Sequence, residues 1–67
     1  MYAVCIDDKI TYFENIEDGA RVLMNHCYGD LYESKPHFLQ KDIDFCKYWV
    51  EKYGSNYLDY NYIKRID

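Results

Sequence analysis

Five side chains in this sequence are of types that bind zinc or act as nucleophiles. They are Cys5, His26, Cys27, His37 and Cys46. A structural zinc site normally shows two closely spaced pairs of cysteine or histidine, and here only His26 and Cys27 are close. Adjacent helical positions point about 100° apart, which does not favour chelation of one ion by this pair. We therefore predict no metal site and no bound cofactor.

No pattern in the sequence indicates a catalytic group. A nucleophilic cysteine needs a histidine within reach and a lowered pKa, and nothing in the spacing orients His37 toward Cys46. The three glycines are isolated, so the sequence contains no phosphate-binding loop. A chain of 67 residues also has little room for both a hydrophobic core and a deep substrate pocket. We expect this protein not to be an enzyme.

The carboxylates are concentrated in the first half of the chain. The formal net charge is -4, and residues 1–34 carry seven carboxylates against two basic side chains. Residues 35–67 carry five against six. Such acidity suits an ordinary solvated surface, and it equally suits a partial DNA mimic that occupies a basic groove. Both interpretations stay open.

Nine tyrosines supply the side chain that contacts other proteins at the smallest entropic cost, because its large face is rigid and carries one hydroxyl. Three of them lie at element ends or outward positions and are predicted to be exposed: Tyr28, Tyr32 and Tyr57. Four are spaced so that packing in the core or between helix and sheet explains them: Tyr48, Tyr53, Tyr60 and Tyr62.

The first half of the chain predicts a β-hairpin followed by a helix. Residues 2–6 and 10–13 are apolar and rich in strand formers, and three polar residues between them form the turn. Asn15 is a good N-cap, and apolar residues then recur at helical spacing. Gly29 suits the position just past the end, so the helix is predicted over 16–28.

The second half predicts one helix and one strand. Pro36 suits a first helical turn and Gly54 closes the pattern, so the second helix is predicted over 36–53. The alternative is a short first turn followed by a new helix start at Asp42, and we favour the single helix. Residues 57–66 alternate as a half-buried strand does. The whole chain, 1–67, is then a single α+β domain of order β-β-α-α-β. We expect a three-stranded antiparallel sheet with both helices packed on one face.

The segment Gln40-Lys41-Asp42-Ile43-Asp44-Phe45 resembles the Gln-x-x-Leu-x-Phe peptide that bacterial replication proteins insert into the sliding clamp. Isoleucine stands at the position of the usual leucine. The resemblance implies a clamp as partner and an extended, flexible segment. The helical pattern instead places Ile43 and Phe45 in the second helix.

These observations favour a small non-enzymatic binding protein. We expect an inhibitor of the phage or immunity type that blocks the basic groove of a nucleic-acid-handling enzyme, by analogy of class. Carboxylates would steer the encounter and tyrosines would make the contacts. The predicted partner-binding residues are Asp7, Asp8, Glu14, Asp30, Glu33, Tyr28, Tyr32 and Tyr57.

Two alternatives remain open. The basic and aromatic residues of the second half suit a single-stranded nucleic-acid or nucleotide binder, although the net acidity disfavours direct nucleic-acid binding. The last strand offers an open edge for a self-associating structural subunit or homodimer. An odd number of cysteines indicates a reducing compartment, so we expect the cytoplasm of a cell or of an infected host cell, without a membrane partner.

Overall fold

The chain folds as two strands, two helices and two strands in a computed structural model that describes residues 1–66. The elements are β1 (Tyr2–Ile6), β2 (Lys9–Phe13), α1 (Ile16–Ser34), α2 (His37–Tyr53), β3 (Ser55–Leu58) and β4 (Asn61–Arg65). The strands form one antiparallel sheet in the order β2-β1-β4-β3. The α+β class is confirmed, and the predicted three-stranded sheet is wrong by one strand.

β1 and β2 form the predicted hairpin, closed by the two-residue turn Asp7-Asp8. Both aspartates have left-handed backbone angles, with φ of 51° and 68°, as a type I′ turn requires. Aspartate adopts this conformation more readily than most residues because its short side chain hydrogen-bonds locally. The turn therefore forms without the glycine that usually marks it.

α1 begins where the sequence predicts and extends beyond its predicted end. Oδ1 of Asn15 accepts a hydrogen bond from the N–H of Glu17 at 2.8 Å, which caps the first turn. Tyr28 leaves the helical conformation (φ -132°, ψ 22°), but Gly29 is not left-handed and the chain stays helical to Ser34. The predicted end at residue 28 is therefore a kink within a longer helix.

α2 is a single helix, as predicted. The N–H of Gly54, at a left-handed φ of 87°, donates to the carbonyl of Val50 at 2.7 Å and ends it. The segment that resembles the clamp peptide lies inside this helix, with Ile43 fully buried. The folded chain thus does not present these residues as an extended peptide.

The strand predicted over residues 57–66 is instead a second hairpin. β3 and β4 pair antiparallel, with Leu58 opposite Asn61 and Tyr57 opposite Tyr62. Asp59 opens the intervening turn with a left-handed φ of 59°. This conformation reverses the chain in two residues, although the alternation of side chains on either side reads as one continuous strand.

One hydrophobic core lies between the helices and one face of the sheet. Its largest fully buried side chains are Val4, Leu23, Ile43, Cys46, Val50 and Ile63. A Cβ added at Gly19 would lie 3.0 Å from Cδ1 of Ile63 and 3.1 Å from Cγ2 of Val4, so α1 approaches the sheet closely there. Both helices pack on this face, as predicted. No element within residues 1–66 covers the opposite face of the sheet, which we call the uncovered face.

Candidate binding surfaces

The thiols are poorly placed for nucleophilic chemistry. Burial raises the pKa of the Cys46 thiol. Burial also raises the pKa of Cys27, and the carboxylates of Asp59 and Asp7 add to that effect. A raised pKa keeps a thiol protonated and unreactive at neutral pH. Within residues 1–66, no three His, Cys, Asp or Glu side chains are placed to hold one metal ion.

Most tyrosines lie at the surface, and several lie where the sequence did not predict them. Tyr32, predicted to be an exposed contact residue, is only 6% exposed, because it lies between α1 and α2 with its hydroxyl donating to Asp42. Tyr28 and Tyr57 are exposed, as predicted. The predicted packing of Tyr48, Tyr53 and Tyr60 is wrong, since they are 51%, 58% and 69% exposed.

Tyr60 and Tyr62 do not pack in the core or between helix and sheet, although their spacing predicts that they do. Tyr60 instead lies in the β3–β4 turn. Tyr62 pairs with Cys5 of β1 and alternates with buried Ile63, so its side chain points away from the helices. Its ring stacks on Tyr57, with centroids 4.8 Å apart. The unpredicted turn is the physical reason for both errors.

Two hairpin turns and the kink of α1 come together at one end of the sheet. The N–H of Asp7 donates to Oδ1 of Asn61 at 2.9 Å, which ties the two turns together. Nε2 of His26 lies 3.7 Å from Oδ2 of Asp7, which ties α1 to the first turn. We call this surface the acidic end and define it by its exposed side chains: Asp7, Asp8, Asp30, Asp59, Tyr28 and Tyr60.

The acidic end unites half of the predicted contact residues: Asp7, Asp8, Asp30 and Tyr28. Its carboxylates outnumber the basic side chains of the same region, Lys9 and His26. A shallow cavity of about 280 Å³ opens there, lined by residues of α1 and of the β3–β4 turn. The sequence reasoning missed Asp59 and Tyr60, because it placed them in the middle of a strand.

The other predicted contact residues lie elsewhere. Glu14 follows β2 at the end opposite the Asp7-Asp8 turn, roughly 17 Å away for a strand of five residues. Glu33 is exposed in the last turn of α1, beyond the kink. Tyr57 lies on the uncovered face of the sheet, and Tyr32 is buried. The eight predicted residues therefore do not form one surface.

The uncovered face of the sheet is largely apolar. Strand alternation and register place eight side chains on it: Ala3, Cys5, Ile10, Tyr12, Ser55, Tyr57, Tyr62 and Lys64. Ile10 and Tyr12 are 50% and 60% exposed. An antiparallel sheet with one wet face usually carries polar residues there. The continuous apolar run of β1 was the signal in the sequence for this second apolar face.

A second unusual surface lies on the side of α2 that faces away from the core. Phe45 and Trp49 stack with ring centroids 5.6 Å apart, and Trp49 meets Tyr53 edge-on at 4.8 Å. Tyr48 lies beside Trp49, with centroids 6.4 Å apart. We call these four side chains the aromatic ridge. Phe45 is 62% exposed and Trp49 is 37% exposed.

A groove between the two helices runs beside the ridge. It has a volume of about 260 Å³ and is lined by Met24, Tyr28, Leu31, Asp42, Phe45, Cys46, Asn56 and Leu58. Phe45 forms its edge, so the ridge and the groove are continuous. The sequence pattern places Phe45 in the second helix without indicating that its ring is exposed, so this surface was not predicted.

No protein family, curated protein or solved structure matches this chain. No helix within residues 1–66 is both long and apolar enough to cross a membrane.

Proposed function

We propose that this domain is a non-enzymatic binding protein that inhibits a nucleic-acid-handling enzyme by placing its acidic end in the basic groove of that enzyme. The observation that carries this proposal is the convergence of two aspartate-bearing turns and the α1 kink on one surface, tied by the Asp7–Asn61 and Asp7–His26 contacts. Carboxylates steer association and suppress wrong partners, and the exposed rings of Tyr28 and Tyr60 supply short-range contact area.

The number of negative charges at the acidic end matches the number of phosphates on one side of a short stretch of DNA. The two turns are separated by two strand spacings, or about 10 Å. Duplex DNA carries about six phosphate charges over ~10 Å of its axis, roughly half of them facing any one side. Asp7, Asp8 and Asp59 supply three charges over that distance. The match supports mimicry of a short stretch of backbone, not of a long duplex.

The other features of the chain agree with binding rather than catalysis. The raised pKa values of Cys27 and Cys46 leave these thiols protonated, and the cavity at the acidic end is shallow. The three free cysteines support a reducing compartment, which is the basis for proposing that the protein acts in the cytoplasm of a cell or of an infected host cell.

The proposal is tested with three immobilised proteins: the wild type, an acidic-end variant and a control. The acidic-end variant carries Asp7→Asn, Asp8→Asn and Asp59→Asn, because asparagine has the same size and tolerates the left-handed conformation. The control carries Glu14→Gln, Asp18→Asn and Glu51→Gln, which remove the same charge elsewhere. Each is loaded with a nuclease-treated lysate of the host cells.

We expect the wild type and the control to retain the same nucleic-acid-binding enzyme, and added duplex DNA to release it. The acidic-end variant should bind the purified enzyme at least about tenfold more weakly, because the charges that face its groove are gone. Equal retention by all three proteins, or a retained protein that does not bind nucleic acid, would contradict the proposal.

A further inference from the structure

The apolar side chains of α2 extend well beyond its buried stripe. Its inner stripe, which includes Ile43, Cys46 and Val50, packs in the core. The aromatic ridge runs along one flank and part of the outer side, about 120° around the helix from that stripe, where an amphipathic helix normally carries polar residues. Apolar residues over so much of a helix surface are typical of a helix that other protein surfaces cover on more than one side. Within residues 1–66 only the buried stripe of α2 is covered.

We propose that the aromatic ridge docks into an apolar groove of a second, different protein whose rim carries carboxylates. Phe45, Tyr48, Trp49 and Tyr53 stand at positions i, i+3, i+4 and i+8, which is the spacing of anchors in helix-in-groove recognition. Tryptophan and tyrosine are the residues most enriched among the energetically dominant contacts of interfaces. The ridge shares no residue with the acidic end, although Tyr28 lines both that end and the groove beside the ridge. Docking through the ridge goes beyond the function proposed above.

The ridge is organised before any partner arrives. Trp49 lies between two rings, nearly parallel to Phe45 (17°) and steeply inclined to Tyr53 (61°). These mutual contacts restrict the side-chain rotamers of the free protein. Binding therefore loses less side-chain entropy than it would with isolated exposed rings.

The charges beside the ridge define the rim of the partner groove. Nζ of Lys52 lies 5.6 Å from the ring centroid of Tyr48 and 5.4 Å from that of Tyr53. Lys41 lies on the same outer side, 5.9 Å from the ring of Phe38. At 100° per residue, the carboxylates of Asp44 and Glu51 fall on the flank away from the ridge. Asp42 lines the groove beside Phe45, where its carboxylate already accepts a hydrogen bond from the hydroxyl of Tyr32. Carboxylates on the partner complement the two lysines.

A second copy of this chain fits the ridge less well than a groove does. A contact between two α2 helices covers a strip about 25 Å long and about 10 Å wide. That is about 250 Å², well below the ~800 Å² that each partner buries in a stable interface. Such a pair would also bring Lys41 and Lys52 of both copies together. A groove on a partner protein would cover not only the ridge but also the flanks of α2 and the groove beside Phe45.

The proposal is tested by photocrosslinking in the host cells. Phe45, which is mostly exposed, is replaced by p-benzoylphenylalanine in the full chain, and Tyr12 on the uncovered sheet face is replaced likewise as a control. We expect the probe at residue 45 to crosslink one protein, within an apolar segment that has aspartate or glutamate nearby. A crosslink to this same chain, to nucleic acid or to lipid, or no crosslink at all, would overturn the proposal.

The crosslinked protein, once purified, gives a quantitative test by titration calorimetry. Trp49→Ala should weaken binding at least about thirtyfold, as expected for a dominant interface residue, and Phe45→Gln should weaken it in the same direction without touching the core. Tyr12→Gln should leave the affinity unchanged. The acidic-end variant should also leave it unchanged, so that failure of one proposal does not decide the other. Unchanged affinity for both ridge variants would refute docking through the ridge.

Discussion

Replacing Tyr32 by phenylalanine removes the hydroxyl that joins α1 to α2. Oη of Tyr32 donates to Oδ2 of Asp42 at 2.5 Å, and the tyrosine is 6% exposed. Phenylalanine keeps the buried ring and its edge-to-face contact with Tyr28, whose centroid lies 6.5 Å away. The substitution therefore isolates one hydrogen bond to a carboxylate from the packing around it.

The size of the effect follows from the surroundings of Asp42. A hydrogen bond to a charged group contributes about 1.5–3 kcal/mol. Asp42 is only half-buried, so water replaces part of the lost interaction in the variant and the lower end, about 1.5 kcal/mol, applies. In a domain of this size 1 kcal/mol shifts Tm by roughly 4–8 °C. We expect Tyr32→Phe to melt about 6–12 °C below the wild type.

Thermal unfolding followed by far-UV circular dichroism at pH 7 measures this shift. Tyr60→Phe is the matched control, since Tyr60 is 69% exposed in a turn, and its Tm should not change. A double-mutant cycle with Asp42→Ala should return a coupling free energy of about 1.5 kcal/mol. A Tm decrease below about 2 °C together with a coupling below ~0.5 kcal/mol would show that this contact does not hold the helices together.

Three further predictions concern alkaline pH and the glycines. Burial raises the pKa of Tyr32, and the hydrogen bond to Asp42 raises it further. As pH rises, the unfolded chain therefore loses the Tyr32 proton before the folded chain does, and the free energy of unfolding falls above about pH 10. In urea titrations between pH 9 and 11 (our chosen range), Tyr32→Phe should lose that part of the decline. Gly54→Ala should lower the free energy of unfolding by about 1 kcal/mol, because Gly54 has a left-handed φ. Gly29→Ala should raise it by about 0.5–1 kcal/mol, because Gly29 is helical and has open space around it. Equal effects of the two substitutions would contradict the backbone conformations assigned to these glycines. Gly19→Ala should cost about 1–3 kcal/mol through overpacking against the sheet, and a neutral result in the same titrations would show that the sheet moves away freely.

The parts of the fold that the sequence predicts are those with local signals. Asn15 caps α1 through its own side chain, and Gly54 ends α2 because it alone adopts the left-handed conformation there without strain. Each signal acts within a few residues, so no knowledge of the rest of the chain is needed. The first hairpin, both helix starts and the end of α2 were predictable for this reason.

The second hairpin was not predictable on the same terms. The first turn is marked by three consecutive polar residues, Asp7-Asp8-Lys9, whereas the second turn, Asp59-Tyr60, carries no such run, and Asp59 reverses the chain by adopting an uncommon φ. The residues on either side keep an alternating pattern that one long strand satisfies equally well. The chain forms a hairpin and not one long strand because Tyr57 pairs with Tyr62 across β3 and β4. That pairing accompanies the pairing of β4 with β1, which is distant in the sequence. Predicting the second hairpin therefore requires knowledge of the tertiary contact between β1 and β4.

The placement of the aromatic side chains depends on which of two apolar faces turns inward. β1 is apolar on both faces, and α2 carries the aromatic ridge beside its buried stripe. Residues 1–66 form one sheet and one helical layer, so the ridge stays exposed, and on the outer sheet face Ile10 and Tyr12 stay exposed while Ala3 and Cys5 are buried. The carboxylates do not cover these faces, since Asp7, Asp8 and Asp59 lie in turns. The turn aspartates of the acidic end are thus segregated from the aromatic ridge, and the exposed rings beside them are those of Tyr28 and Tyr60. This segregation is the physical basis for assigning the acidic end and the aromatic ridge to two separate contacts.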